Sequence, residues 1–130
     1  MIAKKFKEKI RELVDFHTTV IQGKPHTDEY WDSYFKLLDG KDVKQIIEGN
    51  ALIAYLDDTE CLGMIEYVFE CKKSAFKVYR RLLEKSKKLG KPIRGHIHIS
   101  NVGMLNTAFK AGFRIIGTTE KLQYLVERRV

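Results

Sequence analysis

The chain has 130 residues, 44% of them apolar, which is enough for one compact domain with a self-supporting core and too little for two. No apolar run approaches the length of a membrane span, and the basic start from Met1 to Lys7 lacks the continuous apolar stretch of a secretion signal. Two cysteines, Cys61 and Cys71, do not suggest a disulfide scaffold, so a soluble, reduced, cytoplasmic domain with no membrane partner is expected.

The net charge of +7 is concentrated in one place. Lys72 to Lys91 holds nine basic residues and a single acid, Glu84. A local surplus of this kind attracts an anionic ligand such as nucleic acid or a phosphorylated cofactor, although many charge runs are solvated helix faces.

In chain order, Ile2, Phe6, Ile10, Leu13 and Phe16 recur at helical spacing and predict an amphipathic helix, broken by Gln22-Gly23-Lys24-Pro25. Thr27 or Asp28 can cap a second helix carrying Tyr30, Trp31, Tyr34, Phe35 and Leu38, ended by Asp39-Gly40. The aromatic spacing is that of a buried helix face; an exposed Tyr30 or Trp31 would instead line a groove. Asp42 to Glu48 fits either a helical turn or a first strand. Ala51 to Leu56 and Cys61 to Glu70 read as a hairpin about the turn Asp57-Asp58-Thr59.

Ser74 then opens a helix with Phe76, Tyr79, Leu82, Leu83 and Ser86 on its buried side, closing at Leu89-Gly90. Ile93 to Ser100 is a strand, Val102 to Ala111 a short helix with Gly112 as its cap, and Phe113 to Thr118 and Leu122 to Val130 are strands. Leu122, Tyr124 and Val126 share one face of the last. Strand, helix and strand from Cys61 to Ser100 imply a parallel pair, whereas the hairpins are antiparallel. The reading is an α/β fold of mixed α+β type: one domain over 1–130, with a helical part at 1–40 and the sheet with its helices at 51–130.

The run from Asn101 through Lys110-Ala111-Gly112-Phe113 follows a strand, with Leu89-Gly90 some ten residues before it. It resembles the C-terminal half of the GNAT acyltransferase superfamily, in which an Asn leaves a strand, a short helix follows, and Gly-Phe ends that helix and starts the next strand. The resemblance covers about Leu52 to Val130 and is closest to the short, motif-degenerate type that occurs in tailed bacteriophages. It implies a GNAT-like mixed sheet of five to six strands flanked by helices, with acetyl-CoA or another acyl-CoA as cofactor. The family's Gly-rich pyrophosphate loop falls on Glu70-Cys71-Lys72-Lys73-Ser74-Ala75, where only Ala75 agrees. Lys73 replaces the central Gly and Glu70 the usual Arg or Gln. Lys72, Lys73, the Ser74 hydroxyl and the helix N-terminus would still favour an anion. The resemblance thus implies Cys71, Lys72, Lys73, Ser74, Ala75 and Asn101 as CoA-binding residues. It also implies a wedge between two neighbouring parallel strands, floored by the N-terminus of the basic helix and flanked by the Asn101 amide.

The family's general acid, a Tyr seven positions after the motif Asn, is Ala108 here, with Phe109 beside it. Glu66, before the long helix, is the candidate general base, against its ordinary role as a solvent-facing strand residue. Gly63 to Ser74 is too short for two full strands, so the sheet is expected to be trimmed by one. His96 and His98 share a strand face but make only half a zinc site, and no metal is expected. His98-x-Ser100 lacks the second copy that a phosphoesterase signature requires. No Walker loop, Gly-x-Gly-x-x-Gly, Cys-x-x-Cys or Gly-x-Ser-x-Gly occurs.

Three readings follow. The first is an N-acyltransferase acting on an amine of a protein, nucleic acid or small molecule. The second is a catalytically inactive GNAT-shaped binding or structural protein of phage type, in the host cytoplasm or the virion, contacting nucleic acid or an acidic host protein through the basic helix 72–91. The third places chemistry on a nucleotide or modified base beside His96 and His98.

Overall fold

The computed structural model describes residues 1–130. Helix α1 spans Lys4–Gln22 and α2 Asp28–Leu38. Strands β1 (Val43–Glu48), β2 (Ala51–Asp57) and β3 (Leu62–Val68) lead into α3 (Lys72–Leu89). Strand β4 (Ile93–His98), helix α4 (Val102–Lys110) and strands β5 (Arg114–Thr118) and β6 (Gln123–Arg128) complete the chain. The six strands form one sheet in the order β1-β2-β3-β4-β6-β5, in which only β3 and β4 run parallel.

The helix boundaries follow local chemistry. The Thr27 hydroxyl accepts the Tyr30 N–H at 3.2 Å and caps α2. Gly23 ends α1 in the left-handed region at φ 81°, where a side chain would be strained.

Strand β2 is buried on both faces, which is why it reads as an unbroken apolar run. Its Ala51, Ile53 and Tyr55 join Val78 and Leu82 of α3, Leu105 and Ala108 of α4, and Phe113 in one core. Leu52 and Ala54, with Val68 of β3, join Ile2, Phe6 and Ile10 at α1 and Trp31 and Leu38 of α2 in the other. The buried Trp31 donates its Nε1–H to Asp15 at 3.0 Å, so its one polar atom is satisfied.

The structure decides, bears out or corrects several expectations. Asp42 to Glu48 resolves as a strand, because Val43 to Glu48 pairs residue for residue with Leu56 to Ala51. Helix α3 begins at Lys72, with Cys71 in the cap position and Ser74 as its third residue. Phe76, expected inside, is 58% exposed; Ala75 and Val78 take the buried positions. Leu13 and Phe16 are exposed; the buried stripe of α1 runs through Phe6 and Ile10, with Val14 packed against it. Leu122 lies in the turn at φ 57°, outside β6 and exposed. Gly63 to Ser74 holds the end of β3, a three-residue turn and the start of α3, so it contributes one strand.

Candidate active site

Strands β3 and β4 pair only at Leu62↔Ile93 and Gly63↔Arg94. Beyond that point β3 stays on β2 as far as Val68, while β4 stays on β6 as far as His98. Each keeps its outer partner, so a wedge opens between them. The register of β3 explains part of the divergence. Ala54 faces Glu66 and Tyr55 faces Met64, leaving Ile65 as an extra residue, and such a bulge bends and twists the strand that carries it. The facing edges of the two strands carry backbone groups free to bond a third extended chain.

Two helix N-termini meet the wide end of the wedge. Strand β3 reaches α3 through only Phe69, Glu70 and Cys71, and the Tyr67 hydroxyl donates to the Ala75 carbonyl at 2.6 Å, clamping the first turn of α3 to the strand. At the end of β4, Asn101 caps α4: its Oδ1 accepts the Met104 N–H at 3.2 Å. The amide oxygen is therefore committed to the helix. The first N–H groups of α3 have no acceptor within the helix. Their effect registers at Cys71, whose thiol is held below its ordinary value by the Ser74 hydroxyl first, then by the backbone N–H groups of Ser74 and Lys73. A negative charge is favoured there.

Glu66 lies against α2, where it accepts the Tyr34 hydroxyl. The solvent-facing reading is thus corrected: α2 shields the carboxylate. Burial pushes it above its ordinary value, with the Tyr34 hydroxyl and the Tyr67 backbone pulling the other way. The Tyr34 hydroxyl is itself pushed far up, first by burial and then by the charge of Glu66. Tyr30, 41% exposed, stacks parallel to Tyr34 at 6.2 Å between centroids and on His26 at 3.8 Å. A ladder of rings therefore runs from surface to carboxylate. Sequence reading placed these aromatics in the core. The i, i+4 spacing of Tyr30 and Tyr34 was the available signal, but only the packing of α2 on β3 shows what they reach.

Across the wedge, Ile93, Gly95 and Ile97 of β4 are buried, so His96 and His98 occupy the opposite sheet face, which is also the Glu66 side. They do not act as a pair. His96 is exposed, while His98 Nδ1 accepts the Ser100 N–H at 3.2 Å and lies 2.7 Å from its hydroxyl. No group of three or more His, Cys, Asp or Glu side chains is placed to hold a metal. Ala108 is buried in the core, so that position offers no hydroxyl to a leaving group. Two open surface depressions, of about 490 and 410 Å³, lie at the sheet's edges, among Lys44, Leu56 and Asp57 and among Arg114, Ile116 and Arg129. Neither is the wedge. The wedge remains the candidate site because it alone joins unpaired strand edges to a shielded carboxylate and two helix N-termini.

The same architecture recurs in solved structures. The PaiA N-acetyltransferase of Thermoplasma acidophilum, in complex with coenzyme A, superposes with a TM-score of 0.75 over 98% of this chain and 92% of its own, at 15% identity. The chain has the GNAT fold. The ribosomal-protein-S18-alanine N-acetyltransferase of Escherichia coli follows this GNAT architecture with a TM-score of 0.64 at 9% identity, covering 99% of this chain and 90% of its own. Arabidopsis thaliana Naa50, bound to a bisubstrate analogue, gives 0.58 at 15% identity, covering 99% and 95%. No family model and no curated protein matches the sequence.

Proposed function

We propose that the chain is an N-acyltransferase that moves an acyl group from acyl-CoA to an amine. The observation that carries this reading is the two-residue pairing of β3 with β4, which leaves a wedge ending at the N-terminus of α3. Acyl-CoA supplies the thioester, and the remaining work falls to this chain. The free edge of β3 beyond Gly63 would bond the extended pantetheine amides. The N–H groups of Lys72, Lys73 and Ser74, the two ammonium groups and the Ser74 hydroxyl would hold the pyrophosphate, with Cys71 and Ala75 framing the turn. Backbone donors and lysines here replace the loop that Glu70 and Lys73 no longer allow. The Asn101 side-chain nitrogen remains free to meet the ligand while its oxygen caps α4.

Glu66 is the proton acceptor of this reading. A carboxylate pushed upward by burial takes a proton from an incoming ammonium closer to neutral pH than an exposed one does. The stacked rings of Tyr30 and His26 would present aromatic faces to a cationic amine on its way to Glu66.

The direct test is thermal. With CoA at a hundred times its dissociation constant, the stabilisation is about 2.7 kcal/mol, on the order of ten degrees in Tm for a domain of this size. No shift at millimolar CoA sinks the proposal. Glu66→Gln should keep the CoA shift while lowering the rate of thiol release from acetyl-CoA in the presence of amine by about 10²-fold or more.

The buried Ala108, which leaves the leaving thiolate without its usual donor, favours a second reading: a GNAT-shaped binding protein of phage type that has lost transfer. CoA binding without turnover on any amine would select it.

A further inference from the structure

Beyond its first turn, the outer face of α3 belongs to neither the wedge nor the core. Of its cations, Arg81 pairs with Glu48 at 3.3 Å, and Lys91, beyond the helix end, pairs with Asp57 at 2.6 Å. Lys85 lies over the Tyr55 ring. Lys72, Lys73, Lys77, Arg80, Lys87 and Lys88 are exposed and form no ion pair. At 3.6 residues per turn, the stripe from Lys73 to Lys88 fills a sector of about 120° and runs about 22 Å. Glu84 is its one acid.

Phe76 stands within this stripe. It is 58% exposed, and the Arg80 guanidinium sits 4.9 Å from its ring centroid. The ring offers a flat apolar surface beside a guanidinium within the cationic stripe. Beside it, Tyr79 donates to the Ala111 carbonyl at 3.3 Å, and Arg128 donates to the same oxygen at 3.0 Å, bringing a further cation to the flank of α3.

Cations spaced along a line, with an aromatic ring among them, match the chemistry of a nucleic-acid strand: phosphates at regular intervals and bases that stack on any flat ring. Single-stranded nucleic acid fits better than duplex, because only unpaired bases offer their faces. Twenty-two ångströms spans about six stacked nucleotides of one strand at 3.4 Å each. We propose that the outer face of α3 binds single-stranded nucleic acid without regard to sequence, Lys73, Lys77, Arg80, Lys87 and Lys88 tracking the phosphates and Phe76 stacking on a base. Lys73 is shared with the pyrophosphate site of the acyl-CoA reading, but Phe76, Lys77, Arg80, Lys87 and Lys88 lie outside it, so the proposal stands or falls without the wedge.

The experiment is fluorescence anisotropy of the full chain with a labelled oligothymidylate across a salt series. The expected slope of log K against log salt is about −3 to −4, at roughly −0.7 per phosphate neutralised on a single strand. The K77Q/R80Q/K87Q/K88Q variant should flatten it to about −1. Phe76→Ala should keep the slope and weaken binding roughly tenfold, the scale of one lost stacking contact. Circular dichroism confirms that these surface variants stay folded, and the K77Q/R80Q pair replaces the quadruple variant if it does not. Absence of binding at 50 mM salt overturns the proposal. So does equal affinity for a polyglutamate of matched charge or for phosphatidylserine vesicles, which would make the face a general acid-binding or lipid-binding one. Tighter binding to duplex than to oligothymidylate, with Phe76→Ala silent, also counts against it.

Discussion

Glu66 concentrates the chemistry of single residues in this chain. As a glutamate in a strand it reads as a surface residue, and it is α2 that shields it, through Tyr34 thirty-two positions away. Because burial lifts its folded pKa above the ordinary 4.5, the folded state keeps its proton to higher pH than the unfolded chain does. Stability therefore falls as pH rises from about 4.5 to the raised folded value, and is level above it. Glu66→Gln removes that loss. The variant is expected to be more stable than the parent at pH 7 and equal to it near pH 4, by urea denaturation at both. A parent more stable at pH 7 would show a carboxylate that is not desolvated. On the acyl-transfer reading, kcat/KM should also rise with pH through an apparent pKa above the exposed-glutamate value. Position 108 carries the opposite lesson: Ala108 could be seen in the sequence as a missing hydroxyl, and its burial leaves that reading intact.

Among the elements, the helix limits were the most legible, because caps are written in adjacent residues. Thr27 and Gly23 act where their types suggest. Thr27→Ala should cost about 1 kcal/mol by loss of one capped N–H, measured by chemical denaturation. Trp31→Ala should cost about 3–5 kcal/mol, since it empties a fully buried site between α1, α2 and β2 and leaves Asp15 without one of its donors. A loss under 1 kcal/mol would mean that α2 is only loosely docked. Tyr67→Phe tests the clamp on α3. About 1 kcal/mol of stability should go with the 2.6 Å bond, and CoA affinity with it if the first turn of α3 holds pyrophosphate. The faces of the elements were harder to read than their ends. Phe76, Leu13 and Phe16 all carry apolar side chains at plausible inward positions, yet are exposed, because hydrophobic spacing states which residues share a face and not whether a neighbour arrives to cover it.

For the whole molecule, the sheet is the common floor of two cores, with the residues before Gly40 covering one side of β2 and β3. A fragment of residues 41–130 would bare Leu52, Ala54 and Val68, and it is expected to lack a cooperative thermal transition by circular dichroism. A sharply melting fragment would show that the N-terminal helices are an accessory. Much of the molecule follows from sequence alone: every element type except that of Asp42 to Glu48, the parallel crossover between β3 and β4, and the concentration of net positive charge between Lys72 and Lys91. These depend on neighbours in the chain, where capping, alternation and charge are local properties. What awaited the tertiary structure is everything that requires two distant segments to meet. The divergence of β3 from β4, which the family resemblance implied but no local pattern shows, depends on each strand keeping its outer partner. The shielding of Glu66 depends on where α2 lands, and the exposure of Phe76 on which side of α3 the sheet takes. No local pattern encodes such choices, because they are settled by competition among surfaces for one another.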